Sequence, residues 1–335
     1  MSAASRTNNL LTNGEWRPGA DLRTLRTRAT MLAELRRYFA ANQVLEVETP
    51  LAGASAGTDP SLEPLTLQYR GPLYPAGKEL YLQTSPEFAM KRLLAAGSGP
   101  IYQVCKAFRN GEAGRLHNPE FTILEWYRPG FGVGDLMDEV AGVLRLALAQ
   151  PELAVERHPY DQLLGEVAGC DALAATAEQL RGVALQRNIL GAESMQLDAD
   201  GWLDLLFSHL VQPHLGRTCL TFVTDYPASQ AALAQLNPDG RTAARFEVFH
   251  RGVELANGFL ELSDVDEQAA RFEADNCHRR GSGRPPVVVD RRLLAALQHG
   301  LPDCAGVAVG LDRVLLLRID GTDIDEVISF SLQRC

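Results

Sequence analysis

The sequence predicts an α+β protein in which strand pairs alternate with amphipathic helices. Three observations carry that reading. Residues 101–108 and 121–127 are β-prone runs rich in apolar, aromatic and β-branched side chains. Between them lie two glycines, Asn118-Pro119 and two arginines, which is turn chemistry. Residues 245–262 alternate in the same way about a turn at Arg251-Gly252. Elsewhere apolar residues recur at three- and four-residue spacing, as in Leu25, Ala29, Leu32, Leu35 and Phe39, the period of a helix with one buried face.

Taken in order, residues 1–20 are polar, with Asn-Asn, Asn-Gly and Pro-Gly pairs, and predict a loose terminus. A helix follows over 22–41, stopped at Asn42. Residues 44–49 then alternate as a strand closed by Pro50. This helix-strand-proline unit suits either a two-fold interface or ordinary packing. Residues 51–60 are a small-residue loop, and 65–69 and 79–83 are strands. Thr84-Ser-Pro-Glu87 opens a helix, with Ser85 as cap, Pro86 at the first helical position and Glu87 in the first turn. Glu87 either complements the helix dipole or receives an amine.

Residues 130–216 are Ala- and Leu-rich, with helical periodicity at 136–149, 176–190 and 202–211, and predict a helical insertion. Asp198-Ala-Asp-Gly201 lacks the other ligands of a calcium loop and reads as a turn. A strand at 220–224, a short helix at 228–236 and the pair at 245–262 follow. Residues 265–277 are an exposed helix, 279–286 a basic solvated linker, and 291–299 a helix. Gly306–Val309 is a strand leading into a helix that is apolar nearly all round, and so buried.

Composition bounds the function. The 335 residues are 46% hydrophobic and 22% charged, as in ordinary globular chains. A net charge of −10 argues against broad non-specific nucleic-acid binding, although a local basic patch can still meet RNA. The six cysteines are scattered without zinc spacing, which fits reduced thiols in the cytoplasm. Neither a secretory leader nor a run near the roughly 20 apolar residues of a membrane span is visible.

The chemistry concentrates at three places. A strand ending at Arg109 aims a permanently charged fork at a phosphate or carboxylate. The returning strand presents Glu125 and Tyr127 on one face, because strand side chains alternate, and Phe121 adds an aromatic ring. This equipment suits a nucleotide and a small amine, yet taken alone it fits a buried salt bridge better. Glu247, Glu254 and Glu261 are three carboxylates in an apolar stretch. They need cations: magnesium for two and an ammonium for the third, or else arginines. Arg313, in the first turn of the last long helix, suits a phosphate or a structural ion pair. No GxxxxGK[ST] occurs, so a P-loop does not hold the nucleotide.

The helix-strand-Pro50 unit, the hairpin from Phe108 to Arg128, and Gly306-Val-Ala-Val-Gly-Leu-Asp-Arg313 resemble motifs 1, 2 and 3 of class II aminoacyl-tRNA synthetases, in order and spacing. Arg115-Leu-His-Asn-Pro-Glu-Phe-Thr122 and Glu254-Leu-Ala-Asn-Gly-Phe-Leu-Glu-Leu262 resemble the lysyl branch. The resemblance runs from about Leu22 to the C-terminus. It implies a class II synthetase fold, a mostly antiparallel sheet flanked by helices, over residues 21–335. Motif 1 begins near residue 22, leaving no room for the anticodon-reading barrel of about 100 residues that lysyl enzymes carry. A catalytic domain alone resembles the elongation factor P β-lysine ligase family. Ala308 points the same way, since synthetases of this branch usually have Gly there and the ligases Ala.

The resemblance implies ATP and Mg2+ as cofactors, adenylation of (R)-β-lysine, its transfer to a lysine of elongation factor P, a homodimer, and no anticodon recognition. It implies that Arg109 grips the α-phosphate and substrate carboxylate, and that Arg313 holds the γ-phosphate. Phe121 would stack on adenine near His117 and Asn118, with Asn110, Gly111, Glu112, Leu255 and Gly310 completing the ATP site. Glu247 and Glu254 would carry magnesium. Glu87 would take the backbone-side amine. Glu125, Tyr127 and Glu261 would line the pocket for the distal ammonium, flanked by Asn257, Phe259 and Ala308, with Ser85, Pro86 and Gly310 shaping its floor. At Gly111 the family usually has a Glu that contacts the adenine amine; either Glu112 replaces it or adenine is gripped less tightly. The rival readings are a minimal lysyl-tRNA synthetase-like α-lysine activator with another acceptor, and a non-catalytic regulatory subunit.

Overall fold

The computed structural model describes residues 16–335. Residues 1–15 of the expected loose terminus lie outside the described residues. Gly19 and Ala20 are already fixed, their N–H groups donating to Ser329 O and Ile328 O at 2.9 and 3.1 Å. Helix α1 (Leu22–Ala41) starts where the Asp21 side chain accepts from Thr24 N at 2.7 Å, and it buries Met31, Leu35 and Phe39. Of the strand expected at 44–49, only β1 (Leu45–Glu46) pairs.

Strands β2 (Ala52–Gly53), β3 (Thr66–Gly71) and β4 (Tyr74–Leu82) make a small separate sheet in the order β2-β4-β3. Helix α2 (Glu87–Ala95) begins one residue later than expected. Pro86 takes the cap position, while the Ser85 hydroxyl accepts from Glu87 N at 3.1 Å. Hairpin strands β5 (Ile101–Phe108) and β6 (Glu120–Pro129) are followed by α3 (Val133–Leu148), β7 (Ala154–Pro159), α4 (Tyr160–Ala168), α5 (Ala177–Gln186) and α6 (Ala199–Leu206). Asp198 is the N-cap of α6 and accepts from Gly201 N. The helix expected to reach 211 widens at Phe207–Val211 into one π-turn.

Next come β8 (Cys219–Pro227), β9 (Thr242–His250) and β10 (Val253–Leu260). The helix expected at 228–236 is only a 3-10 turn at Ala228–Gln230. Beyond it Ala234 and Leu236 bridge to Glu261 and Ala243, because this apolar stretch covers a sheet end instead of coiling. The β9–β10 turn falls at Arg251-Gly252, with φ of 51° and 73°. A two-residue hairpin turn of type I′ has positive φ at both positions. Helices α7 (Val265–Gly281) and α8 (Arg291–Gly300), strand β11 (Cys304–Gly310) and helix α9 (Leu311–Arg318) complete the chain.

The basic linker expected at 279–286 is not solvated at its start. Arg279 is fully buried at the end of α7. It donates to Glu63 at 2.6 Å and to the carbonyl of Pro285, and so ties the loop before β3 to α7. Its planar fork lets one buried charge satisfy several acceptors at once.

The large sheet runs β1-β5-β6-β11-β10-β9-β8-β7. Its five inner pairings, from β5 to β8, are antiparallel, and the edge strands β1 and β7 pair parallel. One face packs Leu124, Trp126, Val307, Val309, Phe246 and Val248 against α1, α3 and α9 as the main core. Within residues 130–216, α3 joins that core and β7 extends the sheet. Helices α4, α5 and α6 build a second core of Leu164, Leu180, Trp202 and Leu206 on β8 and β9.

Candidate active site

The other sheet face carries the polar residues, and the strand register states which ones meet. Gln103, Glu125, Ala308, Asn257 and Glu247 form one row across five strands. Ile101, Tyr127, Gly306, Phe259 and Arg245 form the next row. Residues two apart on a strand share a face, and the members of both rows on β6, β11, β10 and β9 floor one cavity of about 1410 Å³. The start of α2, the loop before β3 and the β5–β6 loop wall it.

At one end lies a carboxylate pocket. Glu125 is buried; it accepts from the Tyr127 hydroxyl and the Ser85 hydroxyl, each at 2.6 Å. Burial and the nearby Glu87 charge push its carboxyl up to about 7, against those two hydrogen bonds and Lys91. Glu261, equally buried, is pushed up to about 8 by burial, against the pull of Lys91. Lys91 itself is 1% exposed and stands 2.7 Å from Glu87 Oε1 and 2.5 Å from Glu261 Oε2. Burial pulls the Lys91 ammonium down, but the two carboxylates outweigh it and hold it above the ordinary lysine value. Phe259 lies under the ammonium, 5.5 Å from ring centre to nitrogen.

Position 306 must be glycine for this pocket to exist. A Cβ there would stand 2.3 Å from Glu261 Oε1 and 2.4 Å from the Tyr127 ring. Ala308 sits between Glu125 and Asn257 in the register, half-buried on the pocket floor. Pro86 is buried behind Ser85.

The other end carries the cations. Arg109 lies over the Phe121 ring at 4.9 Å and 3.7 Å from Glu112. Asn110 N donates to Glu63 O at 2.7 Å. Gly111 has φ of 81°, a conformation glycine adopts without strain and a glutamate would not. The backbone therefore favours the glycine, and Glu112 faces Arg109. Arg313 donates to Glu254 through its carbonyl at 3.0 Å and its carboxylate at 3.3 Å, and to His117 Nε2 at 2.6 Å. A guanidinium only donates, so Nε2 of His117 is unprotonated. Asn118 engages the chain at both ends, donating to Glu120 O and accepting from Leu332 N. Leu255 and Gly310 line the cavity beside Arg313.

Glu247 engages both oxygens, with Arg245 at 2.5 Å and the Tyr226 hydroxyl at 2.7 Å. Among the described residues no group of three or more His, Cys, Asp or Glu could hold a metal ion. Two carboxylates still suit a magnesium ion that arrives on a triphosphate and keeps phosphate and water ligands.

Three working residues escaped sequence reasoning. Lys91 could have been found from its four-residue spacing after Glu87. Arg245 reaches Asn257, Glu247 and Gln230 O while lying over Tyr226; no local pattern marks it. Asp312 is buried, pairs with Arg28 of α1 and accepts from Thr122 N at 2.7 Å. It thereby fixes β6, α1 and α9 together.

The family described as tRNA synthetases class II (D, K and N) matches residues 16–334. The chain belongs to this class II synthetase family. The antiparallel centre of its sheet, the β5–β6 hairpin and the β11–α9 unit are where the motif resemblance placed them. Three curated relatives bear the name elongation factor P–(R)-β-lysine ligase. That of Photobacterium profundum is 48% identical over 318 residues, 95% of this chain and 98% of its own. Those of Pseudoalteromonas translucida and Klebsiella pneumoniae are 48% and 47% identical, each again spanning 95% of this chain and 98% of the relative. Against that family, the arginines at 109 and 313 and the carboxylates at 87, 125 and 261 share one cavity. Among the described residues no helix is long and apolar enough to cross a membrane.

Proposed function

We propose that this chain is an ATP-dependent, AMP-forming ligase that adenylates (R)-β-lysine and transfers it to a lysine side chain of elongation factor P. The observation that carries the reading is the division of one cavity into a cationic end and a buried carboxylate end. A triphosphate and a carboxylate suit the first, and two ammonium groups suit the second. The name shared by relatives that span nearly the whole chain supplies the acceptor.

In the first half-reaction a substrate carboxylate oxygen attacks the ATP α-phosphorus in line and pyrophosphate leaves. Arg109 spans the site where substrate carboxylate and α-phosphate meet, and Arg313 holds the far phosphates. Fixed cations placed where charge develops give the main acceleration in such transfers. For this, Arg313 exchanges Glu254 and His117 for phosphate oxygens, and Arg109 exchanges Glu112. Magnesium, bound with the phosphates near Glu254 and Glu247, would supply further charge neutralisation. In the second half-reaction the neutral amine of the acceptor lysine attacks the acyl carbon of the mixed anhydride. The C–O bond to AMP breaks, and the amine proton passes to the departing phosphate.

Ala308 faces the substrate backbone from between Glu125 and Asn257. Its methyl favours a substrate whose amine is displaced by one carbon. Leu22, Leu45 and Leu51 stay 70%, 57% and 40% exposed along the α1–β1–Pro50 segment, which suits a two-fold homodimer contact. Its thiols are free, in keeping with the cytoplasm.

Incubation with ATP, (R)-β-lysine and elongation factor P should add one lysyl mass to the acceptor, read by intact-mass spectrometry. Charging of tRNA with α-lysine and no mass gain on the protein would overturn this reading.

A further inference from the structure

Among the described residues, Lys91 is the charged group of the amine pocket that does not reach the cavity. Glu87 and Glu261 line the wall, and Lys91 lies behind them, 1% exposed. It holds Glu87 by Oε1, leaving Oε2 for the cavity. It holds Glu261 by Oε2, leaving Oε1 above Gly306, buried and without a hydrogen-bond partner. One ammonium thus engages one oxygen on each of two carboxylates that approach from different elements, α2 and the end of β10.

We propose that Lys91 is a positioning residue that sets the spacing and the charge of two ammonium receptors, and so selects a substrate with two amines. This inference rests on the diamino-acid reading above. The charge count supports it. Three carboxyl groups, Glu87, Glu125 and Glu261, meet one ammonium, Lys91, in this pocket, so once ionised they leave a balance that two ammonium groups neutralise. An uncompensated buried carboxylate takes a proton instead. A protonated carboxyl offers an ammonium no charge. Lys91 favours the ionised form of Glu261, against the burial that pushes its carboxyl up to about 8, and it leaves one oxygen of each carboxylate free before the substrate arrives.

The groups facing these carboxylates are Glu87 and Lys91 on α2, Ser85 before it, Glu125 and Tyr127 on β6, and Cys304 on β11. Among these described residues Lys91 is the cation that draws the Glu261 carboxyl down, so removing it raises the pKa of Glu261 further. The ligand-binding form is the ionised one, so the defect should be largest at low pH and shrink as pH rises.

The test is Lys91→Met, which keeps the volume and removes the charge. Pyrophosphate exchange with (R)-β-lysine is measured from pH 6.5 to 9, alongside ATP affinity as a check on folding. KM should rise about tenfold or more at pH 6.5, where the Glu261 carboxyl must first lose a proton, and the excess should shrink towards pH 9. The preference for (R)-β-lysine over 3-aminohexanoic acid, which lacks the distal amine, should narrow. ATP affinity should not change. Lys91→Arg keeps the charge and alters the spacing, so it should keep the wild-type pH profile with a raised KM. It decides the matter if the Met variant does not bind ATP. A KM loss independent of pH in Lys91→Met, or wild-type KM in both variants, would overturn the proposal. Absence of exchange by the wild-type chain with any diamino acid would instead remove the parent reading.

Discussion

Gly306→Ala is the most exacting check on the geometry, because it adds one methyl to a site with no room. The new Cβ would stand 2.3 Å from Glu261 Oε1 and 2.4 and 2.5 Å from two carbons of the Tyr127 ring. Non-bonded heavy atoms rest at about 3.5 Å or more, so one side or the other must move by about 1 Å. Neither yields freely. Glu261 and Tyr127 are 1% and 2% exposed, Glu261 is held by Lys91, and Tyr127 by Glu125. Overpacking of this kind costs about 1–3 kcal/mol. Urea unfolding should therefore show a lower midpoint with an unchanged slope. KM for the diamino acid should rise about tenfold, equivalent to about 1.4 kcal/mol of lost binding. ATP affinity should hold, because Arg109 and Arg313 lie at the other end of the cavity. An unchanged midpoint together with an unchanged KM would mean that β11 does not pass beneath Glu261 and Tyr127 in this register.

Other perturbations separate the two ends. Arg109→Ala should abolish pyrophosphate exchange while urea unfolding stays near wild type; undiminished exchange would remove Arg109 from the transition state. Ala308→Gly should shift the ratio of kcat/KM toward α-lysine over (R)-β-lysine, and identical ratios would refute the role of the methyl. Asp312→Ala should destabilise the fold by about 2–4 kcal/mol in urea unfolding, since it leaves the part-buried Arg28 without its carboxylate partner and the Thr122 N–H without its acceptor. A midpoint shift too small to measure would show that β6 and α1 are held together by other contacts.

The β5–β6 and β9–β10 hairpins, the β11–α9 unit, and the candidates Arg109, Glu125, Tyr127 and Arg313 were legible in the residue order. Their signals are local: two-residue alternation, turn residues, and an apolar period near four. Where a local signal competed with distant partners, it misled. Residues 228–236 have helical spacing, yet Ala234 and Leu236 bridge to strands. Arg279 sits among Arg, Gly and Ser residues that read as a solvated loop, yet Glu63 and backbone carbonyls draw it fully inside.

From residue order alone come the α+β class, the membership implied by three motifs, and the kinds of side chain available to the site. Which of them meet is a matter of register between strands far apart in the chain. That register places Ala308 between Glu125 and Asn257, and Gly306 beneath Tyr127. It also hides Lys91 behind Glu87 and Glu261 and joins Asp312 to Arg28. Hydrogen-bond ladders and buried ion pairs form between chain segments brought together by collapse of the core, so no local pattern can carry their addresses.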